Sequence, residues 1–161
     1  MKKTFVVVSD EAIARIMQWP DVGDELVAVE ELTDPDAHNQ GADMRDDAQG
    51  RRAAGATHSA SPGTSHRLRS SATVTASAGE DEQHQQAQRF AKRVADRIHV
   101  LYGQGHFNDL NIIAAPRFLG LLRKALSSAT VQCVSIEISK DLVHAGHDDI
   151  SKRLVQARST S

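Results

Sequence analysis

The amino-acid sequence predicts an α/β fold in which one mixed five-stranded sheet carries helices on both faces. Three observations predict it. Short β-branched runs crowd the opening of the chain, a helical apolar period begins only after Asp81, and helix-like and strand-like segments alternate from there to the end. At 161 residues the chain has the length of one ordinary domain, enough to bury roughly two-thirds of the surface its unfolded form exposes.

Each element has its own signal. Thr4 to Ser9, with Phe5 and three valines, suits a central strand. From Ala12 to Trp19, Ile13, Arg15, Met17 and Trp19 alternate with Ala14, Ile16 and Gln18, the period of two expected of a second strand. Pro20-Asp21-Val22-Gly23-Asp24 is turn chemistry, because proline fixes φ and glycine accepts φ > 0, and Glu25 to Leu32 then forms a third strand. Links this short join strands antiparallel. Thr33 to about Glu80 contains no aromatic residue and almost no apolar period, which predicts a long flexible loop over residues 33–80.

From Asp81 to Tyr102, residues Ala87, Phe90, Ala91, Val94, Ala95, Ile98 and Leu101 fall at the i, i+3, i+4 spacing of one buried helical face. Gly103 and Gly105 end that helix. Leu110 to Ala115 reads as a short strand, and Pro116 suits the first position of a helix over Arg117 to Leu126. A strand from Val131 to Ser139 and a last helix from about His147 to Val155 complete a single domain over residues 1–158, with 159–161 as a tail. Three strands, a long loop, then helix, strand, helix, strand, helix is the order of the ribonuclease H-like three-layer arrangement, whose sheet order is 3-2-1-4-5. The strand ending at Asp10 then lies beside the one ending at Ala115. A switch point opens between them, where ligands of such sheets gather.

Composition narrows the function classes. A formal net charge of −2 gives no global attraction to nucleic acid or to an anionic membrane. Any such attraction is local. Cys133 is the single cysteine, which excludes an intramolecular disulfide and a cysteine-based zinc site within one chain. The apolar run after Met1-Lys2-Lys3 is too short for a secretory signal, and none approaches the roughly 18 to 20 residues that span a bilayer. The expectation is a cytoplasmic protein with no membrane insertion.

Arginine carries the binding signal. Residues 45–69 hold Arg45, Arg51, Arg52, Arg67 and Arg69 against Asp46 and Asp47, and forked, always-charged guanidinium groups suit phosphate geometry. Arg89, Arg93 and Arg97 recur every four residues along the first helix and form a second basic stripe. No aromatics interleave with the loop arginines, so base stacking is not indicated. At the switch point, Asp10 and Arg117 are pocket candidates: Arg117 sits on a helix N-terminus suited to an anion, whereas Asp10 suits a turn into the second strand.

Other chemistries find less. A two-metal nuclease needs an acid at the end of the fourth strand as well as Asp10, and Asn111-Ile112-Ile113-Ala114-Ala115 supplies none. The histidines of His144-Ala145-Gly146-His147-Asp148-Asp149 are not at i, i+4 spacing, and this stretch reads as a helix entry. Cys133 reads as a buried small apolar residue and no serine sits in a nucleophile elbow. No catalytic residue, metal or cofactor is expected.

Several stretches resemble the bacterial family of proteins required for attachment to host cells. They are His84-Gln85-Gln86-Ala87-Gln88-Arg89-Phe90-Ala91, Ala114-Ala115-Pro116-Arg117-Phe118-Leu119-Gly120-Leu121-Leu122-Arg123, and Glu137-Ile138-Ser139-Lys140-Asp141-Leu142-Val143-His144. Asp47-Ala48-Gln49-Gly50-Arg51 echoes it in the loop. That family is similar in turn to the middle domain of archaeal and eukaryotic peptide chain release factors, where a mobile loop carrying Gly-Gly-Gln precedes a basic helix. Gln85 to Val94 looks like that helix. Ser77-Ala78-Gly79-Glu80-Asp81 stands before it and the tripeptide is missing, so peptidyl-tRNA hydrolysis by that route is not implied. What the resemblance implies is a release-factor-like adaptor, with RNA, the ribosome or a ribosome-associated protein as partner. A hydrolase using the pocket near Asp10 and Arg117, or a protein-interaction module acting indirectly on attachment, are the alternatives. The natural partner and the oligomeric state are not written in the sequence.

Overall fold

A computed structural model of the chain describes residues 1–20, 25–37 and 72–160. Five strands, β1 (Thr4–Ser9), β2 (Ile13–Trp19), β3 (Val27–Thr33), β4 (Asp109–Ala114) and β5 (Val134–Ser139), form one sheet in the order β3-β2-β1-β4-β5. β1–β2 and β2–β3 pair antiparallel, whereas β1–β4 and β4–β5 pair parallel. β1 and β4 are buried along their whole length, as central strands covered on both faces should be.

Alternation along the strands divides the core in two. Phe5, Val7, Ala14, Ile16, Leu110, Ile112 and Ala114 face α1 (Ala72–Gly103) and α2 (Pro116–Ala125). Val6, Val8, Met17 and Ile113 face the opposite side, where Ile150 and Leu154 of α4 (His147–Arg158) cover them. The α/β class, the mixed sheet and the 3-2-1-4-5 order therefore agree with the sequence reading. Arg15, a polar residue on the α4 face, donates from Nη1 to Val143 O at 2.9 Å and to Ala145 O at 2.8 Å, pinning the loop between β5 and α4.

α1 is the largest departure from expectation. The helix starts at Ala72, not Asp81, so residues 72–80 of the expected loop are helical; residues 38–71 lie outside the described residues. Its buried face is the one read from the sequence, Ala87 through Leu101, with Phe90 packed on Phe118 of α2 at 5.7 Å between ring centroids. Residues 77–83 are all exposed, so the extra turns have no apolar period to reveal them. At the far end Gly105, at φ 73°, takes the left-handed conformation that lets His106 N close onto Leu101 O.

Two boundaries near β5 also move. Ser128–Val131 is a one-turn helix, α3, whose Ser127 side chain caps it by accepting from Thr130 N, and the strand begins only at Val134. Cys133 is accordingly half-buried in the turn before the strand. α4 runs three residues beyond the expected end, and Ser159 and Thr160 of the expected tail hydrogen-bond back onto it.

Candidate functional site

The basic stripe of α1 is partly spent inside the fold. Arg97 is half-buried, with Nε 2.7 Å from Glu30 Oε2 of β3. Arg93 is exposed, lies 5.7 Å over the Phe90 ring and donates to Thr33 O at 3.4 Å, contacts that orient its guanidinium without neutralising it. Arg89 is exposed and has no ion-pair or hydrogen-bond partner among the described residues. Lys92, one residue from Arg93, pairs with Asp96 at 3.1 Å. Among the described residues the stripe thus keeps two exposed charges without a carboxylate partner, Arg89 and Arg93. The loop arginines Arg51, Arg52, Arg67 and Arg69 lie outside the described residues.

The switch point brings Asp10 and Arg117 to the same end of the sheet. Asp10 Oδ1 accepts from Ala12 N at 2.8 Å and Ile13 N at 2.7 Å, the turn-closing part that its place between β1 and β2 suggests. Arg117, on the first turn of α2, has Nε 3.7 Å from Glu11 Oε1 and Nη2 3.5 Å from His84 Nδ1. Asp10, Glu11, Ala12, Ala115 and Asp141 line a cavity of about 240 Å³ there. Sequence reasoning missed Glu11, His84 and Asp141. Asp141 carried a signal, because it comes just after Lys140 beyond the end of β5, which the predicted sheet order sets at this same edge.

No group of three or more His, Cys, Asp and Glu side chains among the described residues is arranged to hold a metal ion, so the acids at the switch point do not form a metal centre there. His147 opens α4 with Asp148 and Asp149 in its first turn, as the helix-entry reading expects.

A second polar cluster lies at the opposite end of the parallel strands. Asp109 accepts from Thr4 Oγ1 at 2.8 Å and Ser135 Oγ at 2.5 Å, with Lys2 Nζ 3.3 Å away. A β-bulge puts Ser135 within reach, because the β4–β5 register shifts between Leu110 and Asn111. Burial pushes the Asp109 carboxyl up, but the hydrogen bonds from Ser135, Thr4 and Lys2 outweigh it and hold the group below its ordinary value. A carboxylate held ionised and fully paired is a structural anchor, not a proton donor or acceptor at neutral pH. Among the described residues no helix is long and apolar enough to cross a membrane.

The comparisons agree with the family resemblance. The model of a family described as "Protein required for attachment to host cells" matches residues 5–154. An uncharacterized protein of Rickettsia prowazekii (strain Madrid E), RP470, is 32% identical to this chain over 72 residues, which make up 45% of this chain and 47% of that protein. The match spans about half the length of that curated relative.

Proposed function

The chain belongs to the family of proteins required for attachment to host cells, and we propose that it acts as a non-catalytic adaptor whose basic helix face engages RNA or a ribosome-associated partner. The observation that carries this reading is the pair Arg89 and Arg93, exposed on α1 and facing no carboxylate among the described residues. Guanidinium groups left uncompensated at a four-residue spacing suit successive phosphates along a strand. The likeness to the release-factor middle domain belongs to this proposal. It is supported by the strand order and by a long helix, carrying Arg89, Lys92 and Arg93, that follows the third strand in the chain, and with it we propose a single ribonuclease H-like domain over residues 1–158. Without Gly-Gly-Gln before the helix, such a domain would occupy an RNA cleft without hydrolysing peptidyl-tRNA, and it would work in the cytoplasm beside ribosomes.

The hydrolase alternative has thinner support, because Asp10 is engaged by two backbone amides and Arg117 by Glu11. Cosedimentation with purified ribosomes tests the adaptor directly. The protein is expected to pellet with ribosomes at low salt, and to lose that association after nuclease treatment or in Arg89→Ala/Arg93→Ala. Association that survives both would favour a protein-interaction module.

A further inference from the structure

β3 ends the sheet with an apolar stretch in water. Among the described residues it pairs with β2 alone, so along its outer side every second N–H and C=O lacks a sheet partner. Val27 is 55% exposed and Val29 43%, and Ala28 between them is exposed too. β5, at the other edge, keeps its apolar residues Val134, Ile136 and Ile138 half-buried. An exposed aliphatic run on an open edge is a template for strand addition.

The two faces of this edge differ in chemistry. Val27 lies opposite Gln18, which alternates with Met17 and so shares the α1 face with Ile16. α1 runs antiparallel beside the strand, with Arg93 on Thr33 O and Arg97 on Glu30. One turn further along that flank stands Val100, 43% exposed, which approaches the Val27 end and adds to the same apolar surface. On the α4 face, Glu31 lies opposite Arg15, and Glu25 lines a groove of about 950 Å³ with Asp148, Lys152 and Val155 of α4. Arg15 is spent on two carbonyls, and neither glutamate has an ion-pair partner among the described residues.

Charge decides what can cover the edge. Between Arg15 and Arg45 the sequence holds no lysine or arginine, whereas Glu25, Glu30, Glu31, Asp34 and Asp36 fall within or beside β3. Arg97 offsets only Glu30. Two copies of the chain paired through β3 would set this acidic strand against itself, and like charges across a strand pair are destabilising. A basic strand gains from the same carboxylates. Alternation supplies the rest: a strand with aliphatic side chains on one face and lysines or arginines on the other matches Val27 and Val100 on the α1 side and Glu25 and Glu31 on the α4 side.

We propose that the β3 edge binds an extended, basic segment of a partner polypeptide as a sixth strand. The segment's backbone pairs with β3, its aliphatic side chains cover the exposed valines, and its cations face Glu25 and Glu31. The carboxylates discourage self-pairing and select the partner's charge. This surface does not include Arg89 and needs no RNA, and Arg93 sits at the Thr33 end of β3, away from Val27 and Glu25.

A two-dimensional amide NMR titration of the full chain with a synthetic peptide of alternating valine and lysine, about ten residues long, tests this. Saturable shifts and slowed hydrogen exchange are expected along residues 27–33. The same peptide N-methylated at every residue keeps its charge and apolar content but loses its backbone donors, and should not bind. Glu25→Lys/Glu31→Lys should weaken the lysine peptide by about fivefold or more, as reversal of two exposed charge pairs does, and should admit a valine–glutamate peptide that the unaltered chain does not bind. Val27→Thr keeps the β-branch at an exposed position, so it should weaken binding several-fold and leave the unfolding midpoint of the free protein unchanged. Arg89→Ala should leave the peptide titration unaltered while reducing RNA binding, so failure here is distinguishable from failure of the RNA reading. Absence of saturation by the lysine peptide at low salt, or equal affinity for the N-methylated peptide or in the charge-reversed chain, would overturn the proposal. Self-association of the free chain that Val29→Lys abolishes would do so too, because the edge would then belong to a second copy.

Discussion

Gly79→Ala probes the exposed stretch of α1 that precedes its first buried residue, Ala87. Residues 77–83 are exposed, so their helix rests on backbone hydrogen bonds and intrinsic propensity, extended from the buried turns that begin at Ala87. Extension of an existing helix carries no nucleation cost, and glycine inside it costs about 1 kcal/mol relative to alanine. A Cβ added at Gly79 meets no atom within 4 Å, so the substitution brings neither a clash nor a tertiary contact. The whole gain therefore goes into the local helix. About 1 kcal/mol is roughly a fivefold change in an opening equilibrium. Hydrogen exchange should accordingly slow about fivefold for amides in residues 77–83, read by peptide-resolved mass spectrometry or by NMR. Unchanged exchange across that stretch would refute the claim that α1 continues N-terminal to Ala87.

Three further outcomes are expected. Phe90→Ala removes a ring that is 1% exposed and packed on Phe118, and should cost about 3–5 kcal/mol, lowering Tm by roughly 6–20 °C in thermal melts; a loss under about 1 kcal/mol would mean that α1 is not anchored there. Asp109 has a lowered folded pKa, so it adds stability that is present above its ordinary value of 3.8 and lost as pH falls through the folded value. Asp109→Asn should therefore flatten the acid limb of the stability curve below about pH 4, measured by denaturant unfolding across pH. Arg15→Ala removes both bonds to the β5–α4 loop and should raise amide exchange across residues 141–146 well before it affects β1.

The sequence revealed whatever carries a periodic signal. β1, β2 and the buried face of α1 were legible because alternation and the 3.6-residue period both report a surface that must leave water. Pro116 marked the start of α2, and turn chemistry gave the antiparallel β1–β2–β3 order. The stretch of α1 over residues 77–83 was hidden because an exposed length of helix has no apolar face, and Thr73, Val74, Thr75 and Gly79 have weak helix propensity. α3 escaped because a single turn is too short for any period, although Ser127 with Thr130 is a cap pattern. At the candidate site, Asp10 and Arg117 were readable from chain order alone. The pairing of Arg97 with Glu30 joins residues 67 positions apart and removes one cation from the stripe that spacing alone had counted.

The central claim is that α1 presents its uncompensated arginines to phosphates. Its most direct measurement is the affinity of the full chain for a single-stranded RNA across a salt series, beside the same series for Arg89→Ala/Arg93→Ala. Each phosphate contact on a single strand contributes about 0.7 to the slope of log K against log salt, so the double variant should lose about 1.4 from that slope along with its affinity. Equal slopes for the two proteins, or no binding by the unaltered chain at low salt, would contradict the account.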